Sequence, residues 1–293
     1  MSSRIAALFQ AARPKQWIKN LFLFAPLLFS RHLFEFHIIL DAVTGFFLFS
    51  LGASCIYLIN DLFDREKDRL HPTKCQRPIA SGKLPLSWVI TTVLIIIPLL
   101  ILISIRIQPM FAIGLGSYIL LNIIYSIYLK EIVIIDVMTI AASFVLRIVC
   151  GALIIAVPIS EWLLICTTLL ALFLGFSKRR HEILILESAA QNHRPVLTEY
   201  NTYFLDQMMS LVTAATLICY ILYTVDDSTV QKFHSRNLLF TIPFVLYGLF
   251  RYLYLVHQKK SGGDPTMELI ADKPLLADLF LWAITVVIII YFR

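Results

Sequence analysis

Charge is scarce in this chain. Only 15% of its 293 residues are Asp, Glu, Lys or Arg, and 59% are hydrophobic, whereas a soluble domain is ~45–50% apolar. That shortage excludes a soluble globular protein and leaves a polytopic membrane protein, with a mean hydropathy of +0.80. Glycine is sparse too, at 10 residues. No Gly/Ser-rich linker or low-complexity segment divides the chain, so one helical domain over residues 1–293 is expected. The five cysteines (Cys55, Cys75, Cys150, Cys166, Cys219) form no CxxC pair, and four lie in apolar runs. Neither a disulfide framework nor a zinc site is supported. There is no HExxH pair, no Gly-x-Ser-x-Gly elbow and no glycine-rich phosphate loop. The polar, basic N-terminus leads into an apolar run without a small-residue cleavage site, which reads as a retained first helix.

What is present is a series of apolar runs. A bilayer core takes about 20 apolar residues per helix. Nine spans are expected, over 17–36, 38–60, 86–106, 109–129, 133–157, 160–178, 207–226, 237–256 and 274–292. The first is the most interrupted, by Lys19, Asn20, Arg31 and His32, and Pro26 can kink it. With the N-terminus in the cytoplasm, most of the 25 lysines and arginines fall in inside loops, as the positive-inside bias requires. The long polar loops 61–85, 178–206 and 257–273 then also face the cytoplasm, and Gly262-Gly263-Asp264 reads as a turn. The net charge of +6 points to anionic lipid or cytoplasmic phosphates rather than nucleic acid.

The densest polar stretch lies between the second and third spans. It runs Asn60-Asp61-Leu-Phe-Asp64-Arg65-Glu-Lys-Asp68-Arg69, then His71-Pro-Thr-Lys74-Cys-Gln-Arg77-Pro-Ile-Ala-Ser-Gly82. Asn60, Asp64 and Asp68 recur every four residues and share a face on a continuing helix, with Asp61 close to it. Oxygen-only ligands of this kind suit Mg²⁺, which bridges carboxylates to substrate phosphates. Lys74 and Arg77 suit the phosphates themselves. A charged loop that merely stops a helix has no need of carboxylates in register. His71, before Pro72, reads as a loop residue.

A second cluster, Lys178-Arg179-Arg180-His181-Glu182 and then Glu187, follows the sixth span. Lys178 and Arg179 can grip phosphate, and Glu182 can hold a metal or orient a hydroxyl; an interfacial anchor with an i,i+4 ion pair is the competing account. Tyr125 and Lys130 end the fourth span, where a belt tyrosine and a snorkelling lysine are ordinary. Asp136 and Arg147 lie within the fifth span, and intramembrane charges point to function or to buried pairing. Lys19 and Asn20 enter the membrane behind Arg13-Pro14-Lys15-Gln16-Trp17.

The run Asn60-Asp61-x-x-Asp64-x-x-x-Asp68 with Arg77-Pro-Ile-Ala-Ser-Gly82 resembles the first aspartate-rich motif of the UbiA-type intramembrane prenyltransferases. The resemblance implies nine helices around a membrane-open cavity capped by cytoplasmic loops. Ordinary members move a prenyl chain from a Mg²⁺-bound diphosphate to an aromatic acceptor and carry a D-x-x-x-D pair after the sixth helix. This chain has Lys178-Arg179-Arg180-His181-Glu182 there. It is similar instead to the branch that includes decaprenyl-phosphate phosphoribosyltransferase. The likeness extends to Arg13-Pro-x-Gln16-Trp17-x-Lys19-Asn20, His71-Pro-Thr-Lys74, Tyr125, Lys130, Leu146-Arg147, Tyr200 and Tyr203. The branch implies phosphoribosyl diphosphate (PRPP) as donor and a polyprenyl phosphate lipid as acceptor in a bacterial plasma membrane. It also implies Mg²⁺ held by Asn60, Asp64 and Asp61 or Asp68. Lys74, Arg77, Lys178 and Arg179 then hold phosphates, with Lys19, Lys130 and Arg147 near the lipid phosphate. A prenyl diphosphate donor with a small aromatic acceptor is the main rival and a transporter a distant one; a homo-oligomer is compatible with either.

Overall fold

The structure, a computed structural model, describes residues 2–70, 73–186, 199–259 and 265–292. His71, Pro72, Glu187, Arg194, Arg293 and the Gly262-Gly263-Asp264 turn lie outside the described residues. Every element among the described residues is helical. Among the described residues, eight helices are long and apolar enough to cross a membrane. By contacts the chain divides into two compact units, Met1–Thr139 with Leu146–Pro158, and Ile140–Val145 with Ile159–Arg293.

The first unit is built on α3 (Phe36–Phe63). Helices α5 (Leu86–Ile107) and α6 (Pro109–Ile127) pack on it, as does α1 (Ser2–Ala12). Phe49, Ala53 and Ile56 of α3 meet Phe111, Leu115 and Ile119 of α6, together with Cys150 and Ile154 of α7 (Ile135–Ile154), in one apolar cluster. A smaller cluster joins Ala7 and Ala11 of α1 to Leu58, Ile79, Leu84 and Val89.

The first expected span is not one of the eight long helices. Pro14–Phe24 winds as a 3₁₀-helix and hands over to the short α2 (Ala25–Phe29). At three residues per turn, Trp17, Asn20 and Leu23 stack on one face. That face lies along α3, where Trp17 Nε1 donates to Ser54 Oγ and Asn20 Nδ2 to Ser50 Oγ, both at 2.9 Å. The tighter winding also lengthens the segment. At ~2.0 Å per residue the 3₁₀ part reaches about 22 Å, and α2 adds about 7 Å. The sum matches a hydrocarbon core of about 30 Å, so the segment fails an α-helical length test while keeping the reach of a span.

In the second unit α8 (Glu161–Leu186) packs along α9 (Thr202–Val225). The short α10 (Asp227–Phe233) leads to α11 (Ile242–Gln258), then α12 (Pro265–Ala271) and α13 (Lys273–Tyr291). Asp272 caps α13 by accepting the Leu275 N–H at 2.9 Å. Its two oxygens also take Arg251 Nε at 3.1 Å and Nη2 at 2.8 Å. The hydrogen bond from Arg251 is the main reason that the Asp272 carboxyl is held below the ordinary carboxylate range. A depressed folded value means that this contribution is complete above about pH 4, the unfolded value, and is lost as pH falls through the folded one. Asp272→Asn is therefore expected to melt below the wild type at pH 6. The gap should narrow as melting is followed down towards pH 3.

Candidate functional site

The aspartate-rich run sits where α3 gives way to α4 (Arg65–Leu70). Asp64 is the hinge of that handover. Its N–H still bonds the Asn60 carbonyl at 2.9 Å, and its own carbonyl takes the Asp68 N–H at 2.7 Å. The helical register nearly persists, so acidic groups that are close in sequence leave the backbone in two directions.

On one side, Lys130 Nζ reaches Asp64 Oδ1 at 2.5 Å, with both side chains about nine-tenths buried or more. Ser126 Oγ donates to Asn60 Oδ1 at 3.3 Å. Lys130 arrives from the 3₁₀ turn Leu129–Glu131 that ends α6, held also by Lys67 to Glu131 at 3.1 Å. On the other side, Asp61 Oδ1 takes both the Arg13 guanidinium and Arg77 Nη1, the latter at 3.1 Å. Arg77 Nη1 also donates to Asp68 Oδ2 at 2.6 Å. The Arg77 loop is shaped by Gly82, whose φ of +77° suits glycine. It is tied to α4 by Arg69 Nε to the Ala80 carbonyl at 3.2 Å. Three carboxylates thus meet three cations. Beside Arg13 and Arg77 lies a polar cavity of about 230 Å³, lined also by Gln10, Asp61, Thr73 and Gln76.

The donor set fits a hard cation. Three carboxylates and an amide oxygen are oxygen ligands of the kind Mg²⁺ takes, and Asp61 Oδ2 is buried with no hydrogen-bond partner among the described residues. No three acidic, His or Cys groups converge among the described residues. The carboxylates are held by cations, so occupation by a metal exchanges partners rather than filling a ready cage.

The other first-unit candidates fall into two groups. Lys19, Lys74 and Tyr125 are half-buried on their helices. Arg147 and Asn20 bond each other instead: Arg147 Nε donates to Asn20 Oδ1 at 2.9 Å and Nη2 to Tyr118 Oη at 3.2 Å. The guanidinium lies over the Phe49 and Tyr118 rings at 5.7 and 5.0 Å. This network stitches the 3₁₀ segment to α3, α6 and α7. It explains why Asn20 can enter an apolar span: both ends of its amide are used.

In the second unit, Lys178 is half-buried on α8, and Arg179 is completely buried against Glu182. Arg180 goes elsewhere, to Asp206 Oδ1 of α9 at 2.6 Å. Asp206 was not expected as a partner, although an acid at the head of the seventh span was a visible signal. Tyr200 is buried and stacks on Phe204 at 6.1 Å between centroids, whereas Tyr203 is exposed.

Fold and site together define a multi-pass, all-helical membrane protein with carboxylates and cations gathered where its helices end. The family model described as "UbiA prenyltransferase family" matches residues 21–284. A protein of Corynebacterium glutamicum named decaprenyl-phosphate phosphoribosyltransferase is 32% identical, over 96% of this chain and 86% of its own length. One of the same name from Mycobacterium tuberculosis is 30% identical, over 96% and 93%. Among solved structures, a UbiA homolog from Archaeoglobus fulgidus bound to DMAPP and Mg²⁺ superposes with a TM-score of 0.72. That pair is 16% identical, over 97% of this chain and 98% of the other, and shows the fold. The chain belongs to the UbiA prenyltransferase family and is a membrane transferase.

Proposed function

We propose that this protein transfers 5-phosphoribose from PRPP to a polyprenyl phosphate and releases diphosphate, in a Mg²⁺-dependent reaction. The observation that carries this is the end of α8. It offers Lys178 and Arg179 beside one acid, Glu182, with Arg180 taken by Asp206 of α9, where ordinary family members place an aspartate pair. Cations there suit a donor with an additional phosphate on its sugar and have no evident task beside an aromatic ring. Near-full-length similarity to proteins named for this transfer supports the same reading.

Asn60, Asp61, Asp64 and Asp68 would hold Mg²⁺, which supplies charge neutralisation for the leaving diphosphate. Lys74, Arg77, Lys178 and Arg179 hold phosphates of the donor, with Glu182 orienting Arg179. Lys19, Lys130 and Tyr125 serve the lipid phosphate. Asn20 and Arg147 frame those groups through their bonds to each other, to Ser50 and to Tyr118. A lipid phosphate oxygen attacks C1 of the ribose as the C1–O bond to diphosphate breaks, so the transition state is oxocarbenium-like. A phosphate monoester is largely ionised at pH 7, with a second pKa of about 6, so no strong base has to take a proton. We take residues 1–293 as one catalytic domain in a bacterial plasma membrane, with the N-terminus cytoplasmic.

The test is purified protein in detergent with Mg²⁺, labelled PRPP and polyprenyl phosphates of several lengths, with label followed into the organic phase. Label in lipid, lost on chelation, is the expected result. Label transfer from a prenyl diphosphate to an aromatic acceptor, with none from PRPP, would overturn the proposal in favour of an ordinary prenyltransferase.

A further inference from the structure

The cavity beside Asp61 has a task that the aspartate-rich run alone does not describe. Its wall is made by Gln10 of α1, Arg13, Asp61, Thr73, Gln76 and Arg77. Asp61 lies at the back, 1% exposed, and the two guanidiniums lie in front of it, 27% and 26% exposed. The surface that the cavity shows to an incoming group is therefore cationic, although the cluster behind it is neutralised. Arg13 spends one terminal nitrogen on Asp61, and Arg77 spends one on Asp61 and Asp68. Each guanidinium carries five N–H donors in a planar fork, so donors remain for a second, bidentate partner. Arg13 is fixed further by lying over the Tyr57 ring at 5.1 Å. Its backbone is left-handed, with φ +52° immediately before Pro14. A residue before proline is normally extended, and this reversal turns the side chain back over α3. Gln10 and Gln76 add neutral amide groups at the rim.

We infer that this cavity binds a phosphate monoester dianion between Arg13 and Arg77, with Asp61 holding the two guanidiniums in place. Arg13 becomes a substrate-binding residue alongside Arg77, and Asp61 positions both guanidiniums through Oδ1 while its Oδ2 stays available to a metal. Within the phosphoribosyl-transfer reading, on which the inference rests, the monoester comes from one of two sources. One is the 5-phosphate of the soluble donor, and the other is the phosphate of the lipid.

The test reads binding without turnover, on the full chain in detergent micelles, with ribose 5-phosphate and farnesyl phosphate as the two probes. Gln10→Glu and Gln10→Lys change the charge at the rim and leave the Arg13–Asp61 pair intact. Arg13→Gln removes one fork. For the probe that occupies the cavity, Gln10→Glu and Arg13→Gln are expected to weaken binding about ten- to a hundredfold, the scale of one charge-assisted hydrogen bond. Gln10→Lys is expected to tighten it. A response confined to ribose 5-phosphate assigns the cavity to the donor; one confined to farnesyl phosphate assigns it to the lipid. Affinities for both probes that ignore the charge at Gln10 overturn the inference. If transfer from PRPP is absent but a probe still follows that charge, the phosphate site stands and the reading of the reaction falls. Should Arg13→Gln fail to fold, the Gln10 pair still decides.

Discussion

Replacing Asp64 by asparagine is expected to cut transfer by about a thousandfold or more and to abolish stabilisation by Mg²⁺. The first effect follows from the proposed role. A carboxylate that helps a metal to neutralise a departing diphosphate acts where charge develops, and about 4 kcal/mol there is a factor of about 10³. The structure adds a complication. Asp64 also neutralises Lys130 at 2.5 Å, deep in the first unit. Removing one member of a buried pair leaves the other charged and unpaired, at about 3–5 kcal/mol. Lost activity in the single variant could therefore come from damage to the fold. The pair Asp64→Asn with Lys130→Met separates the two. It removes both charges, so its melting temperature is expected to return towards the wild type; Lys130 is itself placed at the lipid phosphate, so the readout that isolates Asp64 is Mg²⁺, which no longer raises the melting point. Transfer at near-wild-type rate in the double variant would show that Asp64 is only a strut for Lys130.

The same residues show what the sequence carried and what it left open. The spans after the first were legible because apolar run length in a membrane protein is set by bilayer thickness. The 3₁₀ winding of Pro14–Phe24 was not, since its cause is tertiary: Ser50 and Ser54 on α3 offer acceptors three residues apart in the partner's register. The crowding of Asn60, Asp61, Asp64 and Asp68 was legible, but its division was not. Periodicity put Asn60, Asp64 and Asp68 together on one face, whereas Ser126 and Lys130 on one side and Arg13 and Arg77 on the other sort them into Asn60 with Asp64 and Asp61 with Asp68. Arg13 stands in the Arg-Pro-x-Gln-Trp run, whose pattern alone does not place it beside Asp61. The signal for more was its place before proline, where a helix must stop and a side chain can be turned back. For Arg147 the sequence is open between function and buried pairing, and its bonds to Asn20 and Tyr118, far away in sequence, are not legible in it.

The largest effect on folding is expected at a residue that touches no substrate. Gly151 sits in α7 where the 3₁₀ segment crosses it, and a Cβ there would lie 2.0 Å from the Leu23 carbonyl oxygen and 2.8 Å from its carbon. Both are backbone atoms, so no rotamer change relieves the clash. The backbone itself is pinned by the buried Leu23 side chain and by Asn20, three residues earlier on the same face. Overpacking a core typically costs about 1–3 kcal/mol and more when the neighbour cannot move. Gly151→Ala should exceed that range, even though glycine to alanine in a helix ordinarily gains about 1 kcal/mol. Gly116 on α6 supplies the contrast, since its Cβ would meet nothing closer than Ile101 Cδ1 at 4.0 Å. Gly116→Ala is expected to melt at or above the wild type, and Gly151→Ala far below it or not to accumulate as folded protein. The damage has a direction as well. Pushing Leu23 off α7 withdraws Asn20 from Arg147 and leaves a guanidinium inside the first unit with fewer acceptors. Arg147→Met should therefore hurt less in a Gly151→Ala background than in the wild type, a coupling that a double-mutant cycle reads directly. Equal melting temperatures for Gly151→Ala and the wild type would mean that the 3₁₀ segment does not lie against α7.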